Sequence, residues 1–128
     1  MRGRAGSMRH AISGPCALVF LALSGSCVPA ADAEHGKVLF GACAACHSEG
    51  PDALGPSLKG VVGRKSAALE DFRYSSAMKR ANLVWDEDNL RAYIKDPQGK
   101  VKGNRMPYGG LTDASEVDDL IAYLRALK

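Results

Sequence analysis

Residues 43–47 read CAACH, which places two cysteines and a histidine in one short segment. A Cys-x-x-Cys-His pattern is the attachment site of c-type haem. Each thiol can add to one vinyl group of the porphyrin, and a two-residue gap on a helical turn brings both sulfurs to one side. The imidazole of His47 follows directly and can bind the iron from the proximal face. The motif therefore predicts that Cys43, Cys46 and His47 hold one haem.

Two other interpretations of the cysteine pair stay open at this point. A Cys-x-x-Cys pair can be a redox-active dithiol, although such motifs usually lie in a βαβ setting and this chain shows no strand-like alternation. Structural zinc needs two further ligands at zinc spacing. The remaining histidine near the motif is His35, which lies upstream and close to the predicted start of the domain. The pattern therefore favours haem over a dithiol or zinc.

The N-terminal segment, residues 1–33, differs in composition from the rest of the chain. It carries three arginines near its start, continues with a short apolar run (ALVFLAL, residues 17–23) and ends in small residues. The apolar run is too short to span a bilayer, which takes about 20 residues. This three-part pattern is typical of a secretory signal peptide. We predict cleavage after Ala33, with Ala30 as the second choice, and a periplasmic mature protein of residues 34–128.

Two of the four cysteines, Cys16 and Cys27, lie in this predicted leader. Lipid attachment at Cys27 is an alternative to removal of the whole leader, but Ser24 stands where such signals usually carry an aliphatic residue. We therefore expect no lipid anchor. Cys43 and Cys46 remain in the mature chain, and in an exported protein such a pair should be bonded to each other or to another group.

The charge of the chain gives no indication of a nucleic-acid partner. The net charge of +3 comes mostly from the arginines of the leader, so the mature domain is close to neutral. A nucleic-acid-binding domain usually shows a basic patch or stripe. No segment outside the leader is apolar enough to span a membrane, and the length suits one domain. We expect one domain over residues 34–128 that neither binds nucleic acid nor spans a membrane.

The predicted fold is all-α, because apolar positions recur at helical spacing and no segment alternates as a strand does. Asp86 can cap a helix that stops before Pro97, and Asp113 with Glu116 three residues later is a capping-box signal. Long loops in a compact domain usually need something to wrap around, and one covalently bound haem would serve. The expected elements are three main helices (residues 34–46, the helix after Asp86 and the helix after Asp113), a short helix near residues 70–74, and loops at residues 48–57 and 98–110.

If the protein carries electrons, the haem iron should have a second protein ligand, and residues 34–128 offer two methionines. Met106 lies in the loop sequence GNRMPYGGL, outside any apolar helical stripe, so it is not placed like core filler. Met78 lies in SSAMKRANL, and we interpret it as packing against the haem. A thioether ligand favours the ferrous state and raises the reduction potential. We predict His47 and Met106 as the two axial ligands of the iron.

From about residue 36 to its end, the chain resembles the class I cytochromes c, the small monohaem type of mitochondria and bacteria. The resemblance rests on GKVLFGACAACH, GPSLKGVVGR, the single Trp85, LRAYIKDP, GNRMPYGGL and DLIAYLRAL, which follow one another in the family's order and rough spacing. It implies the cytochrome c fold and a soluble one-electron carrier rather than an enzyme. Such a carrier moves electrons between redox partners of a respiratory or related electron-transport chain, and we expect a monomer.

The resemblance also implies roles for residues around the haem. The backbone carbonyl of Pro56 would accept a hydrogen bond from the His47 ring and fix its orientation. Tyr93 would lie behind the haem and form a hydrogen bond near the Met106 sulfur. The haem propionates would be bound by Trp85, Tyr74, Arg64 and Asn104.

Departures from the family concern the partner more than the chemistry. Mitochondrial members surround the exposed haem edge with lysines, and here that ring is thin: Gln98 follows Pro97, while Lys100, Lys102 and Arg105 remain. We expect transient docking of redox partner proteins at the haem edge near the two attachment cysteines. An enzyme or sensor whose haem has a weak sixth ligand, and a small subunit of a larger dehydrogenase or oxidase, stay open as alternatives.

Overall fold

The computed structural model describes residue 3 and residues 29–128. Most of the predicted leader, with its two cysteines, therefore lies outside the described residues. No helix of the described part is long and apolar enough to cross a membrane, and the β pairing found there is an isolated bridge between Lys65 and Val84. The described residues form five helices: α1 (Ala33–Ala44), α2 (Ser76–Ala81), α3 (Glu87–Lys95), α4 (Pro97–Lys100) and α5 (Ala114–Ala126).

An aspartate caps the start of each of the three longer helices. Asp32 caps α1, Asp86 accepts a hydrogen bond from the backbone N–H of Asn89 at 2.8 Å in α3, and Asp113 accepts one from Glu116 at 3.0 Å in α5. These carboxylates satisfy backbone donors that have no partner within the first helical turn. The predicted caps of α3 and α5 are present, and the all-α fold with three main helices is confirmed.

Helices α1 and α5 approach each other closely at Gly36. A Cβ atom at this position would lie 2.0 Å from the backbone carbonyl oxygen of Asp119, so the approach requires glycine. One turn further along α1, the rings of Phe40 and Tyr123 lie 5.1 Å apart, a favourable distance for an aromatic pair. This packing holds the C-terminal end of α1, which carries Cys43, against the core.

Most of the buried apolar side chains of the core lie on α5 and α3. The apolar stripe predicted for the last helix is buried, and Val117 has no exposed surface. Several of the buried side chains also form walls of the cavity described below, so the position of those walls depends on helix packing. The buried residues of the two helices are Val117, Leu120, Ile121 and Leu124 of α5 and Leu90, Tyr93 and Ile94 of α3.

The short helices differ from the sequence expectation. Residues 70–74 form a turn and a bend followed by backbone without regular structure, so the short helix predicted there is wrong, and helix α2 begins further along the chain. The reason is Ser75, whose hydroxyl accepts a hydrogen bond from the backbone N–H of Met78 at 3.0 Å and so caps α2. Helix α4 occupies the start of the second predicted loop, because Asp96 caps it and Pro97 fits the first helical position.

Candidate functional site

A cavity of about 560 Å³ lies between the C-terminal end of α1, the helices α2, α3 and α5, and the loops that join them. Its walls are mostly apolar, and its volume is within the range of about 300–1,000 Å³ that small-molecule and cofactor sites occupy. The fold therefore gathers residues from the whole length of the domain around one space. The predicted site residues all line it: Cys43, Cys46, His47, Pro56, Arg64, Tyr74, Trp85, Tyr93, Asn104 and Met106.

The two cysteines lie where α1 ends in a turn. The backbone carbonyl of Cys43 accepts hydrogen bonds from the N–H groups of Cys46 at 3.1 Å and His47 at 2.9 Å. The chain thereby curls back on itself and keeps all three side chains at the wall of the cavity. The two thiols are partly buried and are not joined by a disulfide. The turn therefore places two sulfurs and one imidazole at the wall of the same cavity, where one bound group could contact all three.

The ring of His47 is held by the segment that follows it. Its Nδ1 atom lies 2.7 Å from the carbonyl oxygen of Pro56. A carbonyl can only accept, so Nδ1 carries the proton and the lone pair of Nε2 is available to a metal ion. Gly55 packs against the ring, where a Cβ atom would lie 2.6 Å from Cε1, and its N–H donates to the Cys46 carbonyl at 2.8 Å. The protein itself fixes the tautomer and the orientation of the imidazole.

The surroundings of the cysteines argue against a dithiol and against zinc. Burial, and secondarily the neighbouring Cys46 thiol, raises the pKa of the Cys43 thiol, whereas reactive dithiols have a lowered thiol pKa. Within residue 3 and residues 29–128, no group of three His, Cys, Asp or Glu side chains is placed to hold a metal ion. The one histidine considered as a further zinc ligand, His35, instead pairs with Asp119 at 2.8 Å.

Met106 lines the cavity from the segment that follows α4, and its side chain is partly buried. Its backbone N–H donates to Oδ1 of Asn104 at 2.8 Å. The segment is anchored at its far end, where the N–H of Leu111 donates to the carbonyl of Ile94 at 2.9 Å. Gly110 precedes this anchor with a φ of +104°, a conformation that glycine adopts at little cost. The segment that carries Met106 is therefore fixed on both sides, at Asn104 before it and at Leu111 after it.

Trp85 and Tyr93 form an aromatic wall of the cavity. Both are buried, and their ring centroids lie 4.9 Å apart. Burial raises the pKa of Tyr93 to about 12, so its phenol keeps its proton and can act as a donor at neutral pH. Met78, the other methionine of residues 29–128, also lines the cavity, from α2. The wall therefore combines the aromatic rings and the Met78 thioether with two hydrogen-bond donors, the Trp85 indole N–H and the Tyr93 hydroxyl.

Arg64 and Asn104 already have partners within the protein. The Arg64 guanidinium donates to the carbonyl of Ser57 at 2.8 Å. The side-chain nitrogen of Asn104 donates to the carbonyls of Pro97 and Val101, both at 2.9 Å. Both amide hydrogens of Asn104 are therefore engaged, whereas a guanidinium has five N–H donors and keeps some for another ligand.

Several residues of the cavity wall were not assigned from the sequence, among them Leu54, Phe72 and Tyr108. Leu54 lines the cavity although it is 78% exposed, so it lies at the mouth. Phe72 packs edge-on against Tyr74 with ring centroids 4.9 Å apart. Tyr108 also lines the cavity, and burial is the main cause that raises its pKa. No quoted motif contains Leu54 or Phe72, whereas Tyr108 lies within GNRMPYGGL, where only Asn104 and Met106 were assigned roles. The available signal was sequence distance, because Phe72 is two residues from Tyr74 and Tyr108 is two residues from Met106.

The set of donors at the cavity fits a covalently held haem. Two thiols suit attachment to the porphyrin, a fixed imidazole and a thioether suit the iron, and apolar walls suit the flat ring. A family model for cytochrome c matches residues 33–128. The chain belongs to the cytochrome c family.

Several characterised cytochromes are similar to this cytochrome. Cytochrome c2 of Blastochloris viridis is 44% identical over 108 residues, which cover 80% of this chain and 85% of the relative. Cytochrome c-550 of Nitrobacter winogradskyi is 44% identical over 96 residues, which cover 73% of this chain and 88% of the relative. The solved structure of cytochrome cH from Methylobacterium extorquens superposes with a TM-score of 0.71 at 41% identity, covering 74% of this chain and 98% of the other.

Family membership decides three of the sequence predictions. The protein carries covalently attached haem c, with Cys43 and Cys46 in the attachment positions, so the predicted cofactor is confirmed. The cytochrome c fold is confirmed as well. Cytochromes of this family carry electrons and are not enzymes, so the carrier prediction is confirmed over the enzyme alternative.

Proposed function

We propose that this cytochrome passes single electrons between redox partner proteins of a respiratory or related electron-transport chain, with His47 and Met106 as the axial ligands of the haem iron. The observation that carries the proposal is that an oriented imidazole and a thioether line one apolar cavity beside two attachment cysteines. Haem bound there supplies an iron that gains and loses one electron.

His47 contributes a ligand whose geometry is set by the protein. The hydrogen bond from Nδ1 to Pro56 leaves Nε2 as the ligating atom and makes the imidazole a stronger electron donor. Gly55 closes the space beside the ring, which limits its rotation. The protein would therefore hold the His47 ring in one orientation in both oxidation states of the haem it binds.

Met106 contributes a soft and neutral sulfur ligand. Such a ligand favours the ferrous state and raises the reduction potential. The apolar walls, which include Leu58 and Leu90, act in the same direction. The reason is that a surrounding of low dielectric constant disfavours the additional positive charge of the ferric state.

The polar residues of the cavity are proposed to form hydrogen bonds to the bound haem and near its sulfur ligand. Carboxylates removed from water need hydrogen-bond partners, and Trp85, Tyr74 and Arg64 are proposed to donate to the haem propionates. Tyr93 shares the aromatic wall with Trp85 and is proposed to donate near the ligand sulfur. Asn104 was predicted for the propionates too, but both of its amide hydrogens are engaged by backbone carbonyls.

Replacing each methionine in the haem-loaded protein tests the ligand assignment. Met106→Ala should lower the reduction potential by on the order of 100 mV, because the axial ligand is a main determinant of that potential. The variant should also lose the weak sulfur-to-iron absorption band of the oxidised protein, and its reduced form should bind carbon monoxide. Met78→Ala is the matched control, since it truncates a methionine at the same cavity and should change neither the band nor carbon monoxide binding.

Either methionine can be ruled out by this pair of variants. An unchanged potential and band in Met106→Ala would show that Met106 is not a ligand. Loss of the band in Met78→Ala instead would assign the second ligand to α2.

We propose that redox partners dock briefly at the haem edge beside Cys43 and Cys46. Leu54 supports this location, because it is an exposed apolar side chain at the mouth of the cavity. Electron-transfer contacts are typically small and short-lived, and the protein is expected to act as a monomer. Leu54→Ser should slow electron exchange with a purified partner without changing the reduction potential. Equal rates for the variant and the original protein would contradict this docking site.

We also infer that the protein is exported to the periplasm with a cleaved leader, and the cap of α1 supports cleavage after Ala30 rather than after Ala33. Asp32 accepts a hydrogen bond from the N–H of Glu34 at 2.9 Å, and its own N–H donates to Asp119 at 2.6 Å. Cleavage after Ala33 would remove both contacts. It would also leave a positive amino group at the start of the helix, where the helix dipole disfavours it.

N-terminal sequencing of the protein recovered from the periplasm tests both parts of this inference. A mature chain that begins at Ala31 is expected. A chain that begins at Glu34 would restore the cleavage predicted from the sequence, and an uncleaved chain in the cytoplasm would contradict export.

A further inference from the structure

We propose that Asn104 is a positioning residue for Met106: its side-chain amide, assisted by Gln98, fixes the backbone from which the ligand sulfur reaches the cavity. The inference rests on the proposed role of Met106 as an axial ligand. It assigns to Asn104 a role different from the propionate contact expected from the resemblance. It also gives a purpose to Gln98, which stands where the sequence departs from the lysine-rich pattern of related proteins.

Asn104 is a nearly enclosed polar residue with only 7% of its surface exposed. Its side-chain oxygen accepts the backbone N–H of Met106 at 2.8 Å. Its side-chain nitrogen donates to the carbonyls of Pro97 and Val101, both at 2.9 Å. An asparagine that binds the backbone two residues further along forms an Asx turn. The side chain thus ties the backbone N–H of Met106 itself to both ends of helix α4.

Gln98 supports the same segment from the outside. Its side-chain oxygen accepts the N–H of Gly103 at 3.2 Å, and its nitrogen donates to the backbone carbonyl of Asn104 at 3.0 Å. Gly103 has a φ of +87°, so the chain reverses there. A lysine at position 98 could not accept the Gly103 hydrogen, because an ammonium group has no acceptor. The two amide side chains together therefore define the path from α4 to Met106.

This arrangement acts on the ligand through the backbone and not through the haem. Both amide hydrogens of Asn104 are used by carbonyls, so the side chain has none left for a propionate. The thioether of Met106 can form only weak hydrogen bonds, so its position depends on packing and on the backbone that carries it. A thioether is also readily displaced by a competing ligand when its geometry is loosened. Loss of the Asn104 contact should therefore appear first as weaker methionine binding.

The test measures how well carbon monoxide competes with Met106 in the reduced, haem-loaded protein. Asn104→Ala removes three side-chain hydrogen bonds, of which one holds the ligand's backbone. Loss of that one buried bond should raise the apparent affinity for carbon monoxide by roughly tenfold. It should also weaken the sulfur-to-iron band of the oxidised protein. Asn104→Ser keeps an oxygen that can accept the Met106 N–H in the equivalent turn, so its affinity should lie closer to that of the original protein.

Asn89→Ala is the control for a general loss of stability. The Asn89 side chain donates to the carbonyl of Val84 at 2.8 Å near the start of α3, away from the ligand. This variant should lower the unfolding midpoint without changing carbon monoxide affinity. If Asn104→Ala does not fold, the exposed Gln98→Lys replaces it, with an expected increase of about threefold from a weaker and more exposed contact.

The outcomes separate this inference from the ligand assignment. Unchanged carbon monoxide affinity in Asn104→Ala, or in Gln98→Lys where that variant has to serve, would overturn the positioning role. An unchanged affinity with a shifted reduction potential would overturn it as well, in favour of a propionate contact. Met106→Ala decides the ligand assignment independently, because that variant loses the sulfur whatever Asn104 does.

Discussion

The two sides of the haem cavity are built in different ways. On the proximal side, His47 is held by residues close to it in sequence, through the carbonyl of Pro56 at 2.7 Å and the packing of Gly55. On the distal side, Met106 is carried by a segment whose anchors are the Asn104 amide and the bond from Leu111 to α3 at 2.9 Å.

The difference predicts which side opens first. A ligand fixed by neighbours in sequence keeps its geometry while those few residues stay together. Met106 also has a local anchor in Asn104, but its segment depends in addition on the bond from Leu111 to helix α3. An anchor to a distant helix depends on the packing of that helix, and segments with few buried contacts open at lower free energy. We expect the distal bond to be the weaker and the more easily altered of the two. Single substitutions at one glycine on each side can test this expectation.

Gly110→Ala should have the largest effect, on the distal side. A Cβ atom there would lie 2.2 Å from the carbonyl oxygen of Lys95, and a φ of +104° is strained for alanine. We expect the free energy of unfolding to fall by roughly 3 kcal/mol, and the reduced protein to bind carbon monoxide. Denaturant unfolding and a carbon monoxide titration measure the two effects.

A core substitution serves as the control for Gly110→Ala. Val117→Ala truncates a fully buried side chain of α5 and should cost roughly 2 kcal/mol through the cavity it leaves, without admitting carbon monoxide. If both variants exclude carbon monoxide, the distal segment does not depend on the anchor at Gly110.

Gly55→Ala should have a smaller effect, on the proximal side. The new Cβ would lie 2.6 Å from Cε1 and 2.7 Å from Nδ1 of His47, so the ring must shift and its bond to Pro56 must lengthen. We expect a loss of about 1–2 kcal/mol of stability, as for other overpacked sites, and a changed reduction potential. Carbon monoxide should still be excluded, because Met106 is untouched. Carbon monoxide binding by this variant would show that the two sides are not independent.

The pair of His35 and Asp119, which joins α1 to α5, should have the smallest effect. The hydrogen bond to Asp119 is the main cause that raises the pKa of His35, and the charges of Glu116 and Asp32 add to it. The hydrogen bond from His35 is likewise the main cause that lowers the pKa of Asp119. A raised histidine pKa stabilises the fold below the ordinary value near 6.5, and this contribution is lost as the pH rises through the folded value. A lowered carboxyl pKa contributes above the ordinary value near 3.9 and is lost on acidification.

The pair should therefore contribute most in weakly acidic solution. Thermal unfolding of the original protein and of Asp119→Asn between pH 5 and pH 9 checks this. The stability of the original protein relative to the variant should decline as the pH rises through the folded pKa of His35. Parallel profiles for the two proteins would show that the pair does not contribute.

The residues around His47 can be predicted from the sequence more fully than the residues that position Met106. CAACH is a contiguous motif, so the sequence alone identifies the attachment residues and the proximal ligand. Asp86 and Asp113 likewise mark the starts of two helices. The short helix α2 was misplaced because the apolar pattern is weak there and only a single serine, Ser75, marks its start. The network of Gln98 and Asn104 could not be predicted, because it depends on the three-dimensional return of the chain around α4.

The close approach at Gly36 has a consequence for how the protein is made. The first helix of the domain finds its partner only in the last one, so their contact joins the two ends of the chain. A contact between distant parts of a chain costs more loop-closure entropy than a local one, and this one cannot form without α5. Until α5 packs on α1, the CAACH segment at the end of α1 is not held against the core, and its thiols stay open to haem attachment. The order of the helices along the chain thus allows the cofactor to be attached before the fold encloses it.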